Sequence, residues 1–378
     1  MALDTRVVEK PEELARWQGA WRDLLGRSAS DQPTRSPLWL GAWWRIFGPL
    51  DGRKLRITLV LDGERLVGLA PLIARRKWHY RAIPFRRLEF LGTGEPEADE
   101  ICSDHLGVVA ERGRESAVAE AIVNGLDRDA LGAWDELVLS PMDADDPVLV
   151  PLARALEKAG LDTKTEALAG CPYIALPASF EEYLASLRSE KRYLVKRSLR
   201  DFERWAGGHA ELREVRTRSE LVEGKRILEA LHAERWKAEG QRGVFASLRF
   251  RAFHDDVMAE LLDAGALDLF WLEVHGRPIA AAYNIVWNGK LHFYQSGRTL
   301  DVPKGIRPGT VLHAYAIRRA IDAGLEEYDF LAGTSRYKLE FATDVRPLTS
   351  LRAVRSRLRE SARRTAQLSL ARVKRLRR

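Results

Sequence analysis

Residues 267–285 read LDLFWLEVHGRPIAAAYNI, and an earlier stretch, residues 55–72, reads LRITLVLDGERLVGLAPL. Each contains an apolar strand, a two-residue turn and a second apolar strand. Glycine takes the positive φ of a tight turn at no steric cost, so the pairs Asp62-Gly63 and His275-Gly276 predict two β-hairpins. One hairpin pattern that occurs twice in a chain of 378 residues suggests an internal duplication.

The elements around the two hairpins repeat in the same order. Two helical patterns precede each hairpin, and a strand, a helix and a strand follow it; the ranges are 12–25, 37–47, 87–91, 115–126 and 134–139 in the first half, and 221–238, 250–264, 290–295, 309–323 and 328–331 in the second. In the last of these helices, apolar residues three or four apart would cover a sheet, and Gly324 follows as a C-cap. The order predicts a mixed α/β fold made of two similar halves.

Residues 168–177 contain two prolines and a glycine, which is typical of a boundary between domains. We therefore predict an N-terminal domain over 1–172, a C-terminal domain over 173–350, and a basic tail over 351–378. Residues 179–205 read as one long basic helix, and the tail has a weak helical pattern with no evident sheet partner.

The composition, 46% apolar and 30% charged, is that of a globular protein. No stretch has the length of a transmembrane helix, and the charged first eleven residues do not resemble a secretory signal. Two distant cysteines, Cys102 and Cys171, are interpreted as buried thiols, so a reducing cytoplasmic location is expected. The net charge of +7 comes from the tail, where eleven Arg or Lys residues and one Glu give +10.

Several familiar catalytic motifs are missing from the sequence. It has no Gly-x-Ser-x-Gly elbow, no Walker loop, no Gly-x-Gly-x-x-Gly after a strand and no Cys-x-x-Cys. The eight histidines are scattered without metal-ligand spacing, so no metal site is predicted.

Five short motifs in the second half carry a family resemblance: RPIAA at 277–281, YQSG at 294–297, RPGTVL at 307–312, YDFLAG at 328–333, and YK at 337–338. Together they resemble the GNAT-like acyltransferases, in particular the CelD branch named for cellulose biosynthesis, which is related to the FemAB aminoacyltransferases. The resemblance implies two tandem GNAT-like domains, each a mixed, mostly antiparallel sheet flanked by helices. It also implies acyl transfer to an amine or hydroxyl without a covalent enzyme intermediate.

Donor binding is expected where the helix at 309–323 begins. Lys304, Arg307, Gly309 and Thr310 combine positive charge with the free N–H groups of a helix N-terminus, which suits an anionic co-substrate such as acetyl-CoA or another acyl-CoA. The loop departs from the Gln/Arg-x-x-Gly-x-Gly/Ala pattern usual in the wider family. The plain alternative is that Pro308-Gly309 only starts a helix.

Arg235, Trp236 and Tyr337 are the predicted acceptor-binding residues, although an indole in a helix also suits core packing. Asp329 is the predicted acid or base, since a partly desolvated carboxylate has a raised pKa. Its alternative is a structural role, bonding backbone N–H groups at the end of a strand.

Tyr294 and Lys338 complete the predicted catalytic set. Tyr294 would donate to the oxyanion or leaving group, and Lys338 would meet an anionic group of acceptor or donor. The alternatives are a core tyrosine and a surface lysine.

The expected reaction transfers an acyl group, from acyl-CoA, to an amino or hydroxyl group of a sugar or polysaccharide precursor. The alternatives are a FemAB-like transferase that uses aminoacyl-tRNA, and a non-catalytic scaffold of polysaccharide synthesis. The basic helix at 188–204 is a candidate for contact with a polyanion such as tRNA, and its alternative is a solvated helix face. The tail would contact a membrane surface or nucleic acid phosphates, or would only aid solubility. No long helical insertion interrupts residues 214–251, which favours CoA. The first half lacks counterparts of the site residues and is predicted to be non-catalytic.

Overall fold

The computed structural model describes residues 3–127, 131–355 and 357–376. The chain forms two compact units. The first comprises Met1–Gly94, Ser103–Leu168 and Pro347–Arg378, and the second comprises Glu95–Cys102 and Ala169–Arg346. Residues 377 and 378, the end of the predicted basic tail, lie outside the described residues.

The strands of the described residues are β1 (Asp4–Val8), β2 (Lys54–Leu55), β3 (Ile57–Asp62), β4 (Arg65–Ala70), β5 (Leu72–His79), β6 (Ile83–Phe90), β7 (Val109–Ala110), β8 (Glu136–Asp143), β9 (Asp162–Ala167), β10 (Cys171–Ala175), β11 (Ala210–Glu214), β12 (Leu267–Val274), β13 (Arg277–Trp287), β14 (Lys290–Arg298), β15 (Glu327–Asp329), β16 (Asp344–Arg346) and β17 (Leu348–Val354).

The helices are α1 (Pro11–Gly26), α2 (Pro37–Phe47), α3 (Glu115–Gly125), α4 (Leu149–Lys158), α5 (Phe180–Ser186), α6 (Ser189–Ala206), α7 (Arg218–Ala238), α8 (Leu248–Asp263), α9 (Pro308–Asp322), α10 (Arg336–Phe341) and α11 (Arg357–Leu376). Among the described residues, no helix is both long enough and apolar enough to cross a bilayer.

The first unit contains two sheets, ordered β1-β3-β4-β7 and β2-β5-β6-β8-β17-β9. Strand β17 comes from the end of the chain and pairs antiparallel with both β8 and β9. Its residues alternate between buried positions such as Leu351 and Ala353 and partly exposed ones such as Arg352, as expected for a strand with one covered face. Strand β17 therefore completes a sheet whose other strands lie between about 180 and 300 residues earlier.

The second unit has one sheet, ordered β11-β12-β13-β14-β15-β10-β16. Strands β12, β13 and β14 form an antiparallel meander, whereas β14 and β15 are parallel and joined by α9. Helix α9 buries the predicted apolar stripe, including Val311, Leu312, Ala316 and Ala320, against this sheet. Gly324 follows the helix at a φ of +70° and donates its N–H to the Ile321 carbonyl, so the predicted C-cap is confirmed.

The predicted mixed α/β fold with a repeated hairpin is confirmed, with local corrections. The turn at His275-Gly276 is as predicted, with φ of 52° and 72° at the two residues. The first turn is shifted by one residue, because β3 extends through Asp62 and Gly63 takes the first turn position at a φ of +63°. The shift keeps Asp62 opposite Arg65 in the ladder.

Three other expectations differ from the structure. The predicted helix at 179–205 is divided into α5 and α6, because Leu187 and Arg188 are extended with ψ of 147° and 148°. Residues 347–378, predicted as the end of the second domain and a separate tail, belong to the first unit. Sequence order does not reveal the partner of a strand such as β17. Cys171 is buried as predicted, but Cys102 is exposed.

Candidate functional site

The sheet of the second unit opens where β14 and β15 separate. The two strands pair only over Lys290–His292 of β14, yet β14 continues to Arg298. Beyond the pairing, Ser296 and Arg298 line a cleft with a volume of about 460 Å³ together with the first turn of α9. A parallel pair that separates at the N-terminus of its crossover helix creates a pocket in which backbone and side-chain donors can converge.

Helix α7 forms another wall of this cleft by lying unusually close to β14. A Cβ added to Gly297 would lie 2.3 Å from the backbone nitrogen of His232 and 2.6 Å from the carbonyl carbon of Leu231. Only glycine allows two backbones to approach this closely. The approach brings Arg235, one turn further along α7, into the cleft wall.

Three arginines make the cleft attractive to anions: Arg235, Arg298 and Arg307. Arg298 is partly buried, and its side chain has neither a hydrogen bond nor an ion pair among the described residues. Burial and the nearby Arg235 charge lower the pKa of Arg298, so the two guanidinium groups lack full compensation. Arg235 itself is 3.6 Å from Glu239 and lies over the Trp236 ring, 5.1 Å from its centroid.

The first turn of α9 adds backbone donors. Pro308 occupies the first turn, and Arg307 provides no side-chain cap. The N–H of Val311 bonds to the Arg307 carbonyl, whereas those of Gly309 and Thr310 have no acceptor in the described part of the chain. Unsatisfied N–H groups at a helix N-terminus bind carboxylate, phosphate or oxyanion groups.

His313, one turn further along α9, lines the inner end of the cleft. Burial, with a smaller effect of the Lys338 and Arg235 charges, lowers the pKa of His313 to about 3, so the ring is neutral near pH 7. Its Nδ1 lies 3.1 Å from the hydroxyl of Tyr328, whose pKa is raised well above its usual value by burial.

Because Tyr328 is protonated, the tautomer of His313 can be inferred. Nδ1 is the sole acceptor for the phenol among the described residues, so Tyr328 donates and the ring hydrogen of His313 resides on Nε2. No described group bonds that Nε2. His313 is thus arranged to donate one hydrogen bond to a molecule in the cleft.

Tyr337 and two carboxylates complete the lining. Tyr337 stacks on His313, with ring centroids 5.6 Å apart and planes inclined by 28°. Burial raises the pKa of Tyr337, so its phenol stays protonated and can donate. Glu239 and Glu340 also line the cleft, and Glu340 lies 3.3 Å from the guanidinium of Arg336.

The structure brings together five of the seven residues predicted to bind donor or acceptor. Arg307, Gly309 and Thr310 from the donor set and Arg235 and Tyr337 from the acceptor set all line this one cleft. Their individual roles stay predictions.

The other two predicted binding residues lie outside the lining. Lys304 is exposed in the loop before α9, and Trp236 packs beside His232, with ring centroids 5.8 Å apart. The Trp236 ring packs against the Arg235 guanidinium, which fits the alternative that Trp236 is a core-packing residue.

Asp329, the predicted acid or base, is fully buried away from the cleft lining. One carboxylate oxygen accepts the N–H of Leu331 at 2.7 Å, and the other lies 3.1 Å from the Arg346 guanidinium. These contacts match the structural alternative, in which Asp329 organises the end of β15.

Tyr294 is also turned into the interior. It sits at a β-bulge, where the register of β13 and β14 shifts between Tyr283 and Asn284. Its hydroxyl donates to the Ile101 carbonyl and lies 3.0 Å from Nε2 of His254.

Lys338 donates to the carbonyls of Leu331 and Ala332 at 3.2 and 2.6 Å. Leu331 has a φ of +58°, a strained conformation for a branched residue, and Lys338 holds the loop that contains it. Neither Tyr294 nor Lys338 is part of the cleft lining.

Sequence reasoning missed four polar residues of the cleft: Arg298, His313, Glu239 and Glu340. Arg298 directly follows the quoted YQSG motif, and His313 comes four residues after Gly309, one helical turn. The spacing from Gly309 was a usable signal for His313. The glutamates carry no local signal.

Comparisons with known proteins bear on the family and the fold. The family model described as an acetyltransferase (GNAT) domain matches residues 189–339. No curated protein sequence matches the chain.

Solved structures match nearly the whole chain at low identity. FemX is 10% identical, with a TM-score of 0.60 over 92% of this chain and 96% of FemX. The C-terminal domain of a putative lysylphosphatidylglycerol synthetase from Agrobacterium fabrum is 12% identical, with a TM-score of 0.53 over 94% and 95% of the two chains. L-PGS from Bacillus licheniformis is 12% identical, with a TM-score of 0.52 over 92% and 93%.

The predicted fold class, two tandem GNAT-like α/β domains, is therefore confirmed. Residues 189–339, which supply every residue of the cleft except Glu340 and Phe341, carry a GNAT-type acyltransferase domain.

Proposed function

We propose that the second unit catalyses acyl transfer from an acyl-CoA thioester to an amino or hydroxyl group of a sugar or polysaccharide precursor, as in the CelD branch. The observation that carries this proposal is the partly buried, incompletely compensated guanidinium of Arg298 beside the free N–H groups of Gly309 and Thr310. A diphosphate would satisfy both the charge and the donors. The first unit has no assigned chemical role.

The reaction follows from the groups that line the cleft. The acceptor nitrogen or oxygen attacks the thioester carbonyl carbon, the carbonyl π electrons move to oxygen, and the C–S bond breaks when they return. Nε2–H of His313 donates to the developing oxyanion, since a neutral imidazole needs no proton change for this role. The Tyr337 hydroxyl supplies the proton to the leaving sulfur.

The proton lost by the acceptor goes to a carboxylate of the lining, either Glu239 or Glu340. Replacing each glutamate with Gln in turn identifies the base. The variant that lacks the base should lose turnover at neutral pH and regain it as the pH rises, because the fraction of free amine increases. Asp329 is not used, because its carboxylate already holds the Leu331 N–H and Arg346.

Ligand-induced stabilisation tests the donor. Acetyl-CoA, longer acyl-CoAs and free CoA should raise the melting temperature, by the equivalent of about 2.7 kcal/mol at a hundred times Kd. Arg298→Met should abolish most of that shift, whereas Arg242→Met, which removes an exposed arginine outside the cleft, should retain it. If no CoA compound stabilises the wild-type protein, the acyl-CoA donor is wrong.

One observation favours aminoacyl-tRNA as the second candidate donor. Helix α6 exposes Tyr193, with 62% of its surface accessible, and Lys196 and Arg197 follow it at the next turn. Exposed aromatic and basic side chains at this spacing suit a nucleic acid strand. On this alternative, activity is lost on RNase treatment and in Tyr193→Ala, and no CoA compound shifts the melting temperature.

The scaffold alternative is tested at the cleft. The changes Asp329→Asn and Lys338→Ala remove interior contacts, so they cannot distinguish lost chemistry from disturbed structure. His313→Ala leaves those contacts in place but removes the hydrogen bond to Tyr328, so an unchanged circular dichroism spectrum of the variant is the control. It should lower turnover by about a hundredfold or more if His313 stabilises an oxyanion. A scaffold would keep its cellular phenotype with this variant.

A further inference from the structure

The first unit carries a basic and aromatic surface that the proposed reaction does not use. The hairpin formed by β5 and β6 has the tip sequence RKWHYR over residues 76–81, which we call the basic hairpin. Trp78 and Tyr80 are 51% and 43% exposed. Two large aromatic side chains in water, next to several cations, indicate a surface that is covered during function.

The cations of the basic hairpin are only partly neutralised. Arg76, Lys77 and Arg81 make no ion pair with any described residue. Arg76 lies directly opposite Arg86 in the β5–β6 ladder, and Trp78 lies opposite Pro84. Burial, followed by the charges of Arg75 and Arg87, lowers the pKa of Lys77, as expected where positive charge accumulates.

Helix α11 lies beside the hairpin and extends this surface. The Arg359 guanidinium donates to the Pro84 carbonyl of β6 at 3.2 Å and also bonds to Asp135. Glu360 is buried and binds Arg352, Arg363 and Arg364. Leu358 and Leu368 of the same helix are 88% and 66% exposed.

We propose that the basic hairpin and the exposed leucines Leu358 and Leu368 of α11 form a docking surface for an anionic lipid bilayer. Tryptophan and tyrosine have an apolar body with a polar edge, which suits the headgroup region, and unpaired arginine and lysine attract anionic headgroups. Exposed leucines on a basic helix gain free energy in the acyl-chain boundary. They gain nothing beside nucleic acid phosphates, so the leucines decide for lipid over RNA.

Co-sedimentation of the full-length protein with vesicles tests the proposal. The protein should bind vesicles that contain about one third phosphatidylglycerol and should not bind vesicles of phosphatidylcholine alone. Replacing Arg76, Lys77 and Arg81 with serine should weaken binding about a hundredfold, at about fivefold for each charge. Trp78→Ala should weaken it about tenfold through lost apolar burial.

A control variant with the same loss of charge removes exposed lysines elsewhere in the first unit. Lys10, Lys54 and Lys158 replaced with serine should bind vesicles within about threefold of the wild type, apart from weak long-range attraction. All variants should keep the wild-type circular dichroism spectrum, because every replaced side chain is exposed or partly exposed.

Three outcomes would overturn the proposal. The variant with Arg76, Lys77 and Arg81 replaced by serine could bind vesicles as tightly as the control variant with Lys10, Lys54 and Lys158 replaced. Neutral vesicles could bind as tightly as anionic ones. A single-stranded RNA oligomer could bind in a manner that depends on the hairpin while vesicles do not, which would make the surface a nucleic acid site.

Discussion

Three of the four buried histidines among the described residues of the second unit have a lowered pKa, and their neutral state makes folding sensitive to acid. His232, His254 and His313 are 1%, 1% and 5% exposed. Burial is the main cause that lowers the pKa of His232 to about 4, that of His254 well below its usual value, and that of His313 to about 3. The ring of His232 has no hydrogen-bond partner at either nitrogen among the described residues.

The sign of the effect follows from proton uptake. In the unfolded chain a histidine has a pKa of about 6.5, so between that value and the folded pKa only the unfolded state binds the proton. The contribution to stability is therefore complete above about pH 6.5 and is lost as the pH falls. At about pH 5, each of the three histidines removes about 2 kcal/mol relative to pH 7, or about 6 kcal/mol together.

Urea-induced unfolding, followed by circular dichroism between about pH 5 and 7, measures this loss. Averaged between about pH 7 and 5, the free energy of unfolding should fall by about 1 kcal/mol per pH unit for each histidine, which is about 3 kcal/mol per pH unit for three. In His232→Leu the slope should drop by about one third, because an apolar side chain replaces one of the three titrating rings.

His209→Gln provides the matched control, since it removes an exposed histidine of the same unit. The reasoning would be refuted if the pH slope of the wild-type protein corresponded to the uptake of less than one proton on unfolding in this pH range. A slope in His232→Leu equal to that of the wild type would refute it for His232.

Three other predictions concern single side chains. Gly297→Ala should lower the free energy of unfolding by about 3 kcal/mol, because its Cβ would meet the α7 backbone at 2.3 Å. The control Gly19→Ala, whose Cβ would have no atom nearby, should have little effect. Equal effects of the two variants in urea unfolding would contradict the close approach of α7 and β14. Arg346→Met should lower the free energy of unfolding by about 3 to 5 kcal/mol in the same assay, because the fully buried Asp329 loses the positive charge of Arg346. Adding Asp329→Asn should recover part of this lost stability. No recovery in the double variant would contradict the charge explanation. Tyr337→Phe should lower kcat for thioester donors by about tenfold or more without changing the Kd of free CoA, measured by calorimetry, and an unchanged kcat would remove Tyr337 as proton donor.

Features of the fold that depend on local periodicity were predictable from the sequence. The hairpin at His275-Gly276 and the extent of α9 follow from residue types only a few positions apart. The break between α5 and α6 was not predictable in this way, because the extended residues Leu187 and Arg188 belong to types that are common in helices.

In the candidate site, too, residues close together in the sequence were predictable and contacts between distant residues were not. Arg307, Gly309 and Thr310 lie on one helical turn, so a sequence motif identified them together. The role of Asp329 depends on Arg346, which lies on a different strand, and no local pattern shows that this carboxylate is already engaged. The position of His313 one turn after Gly309 was readable from the sequence, but its tautomer depends on a contact with Tyr328, fifteen residues away.

The position of β17 has a consequence for biosynthesis. The six-stranded sheet of the first unit needs residues 348–354, which leave the ribosome after every residue of the second unit. Until then β8 and β9 lack the strand that joins them and present open edges, which are prone to intermolecular pairing. The part of the protein that is synthesised first is therefore completed last, and a fragment that ends at residue 172 should aggregate rather than fold. Translation through the final thirty or so residues is the step that commits the first unit to its native sheet.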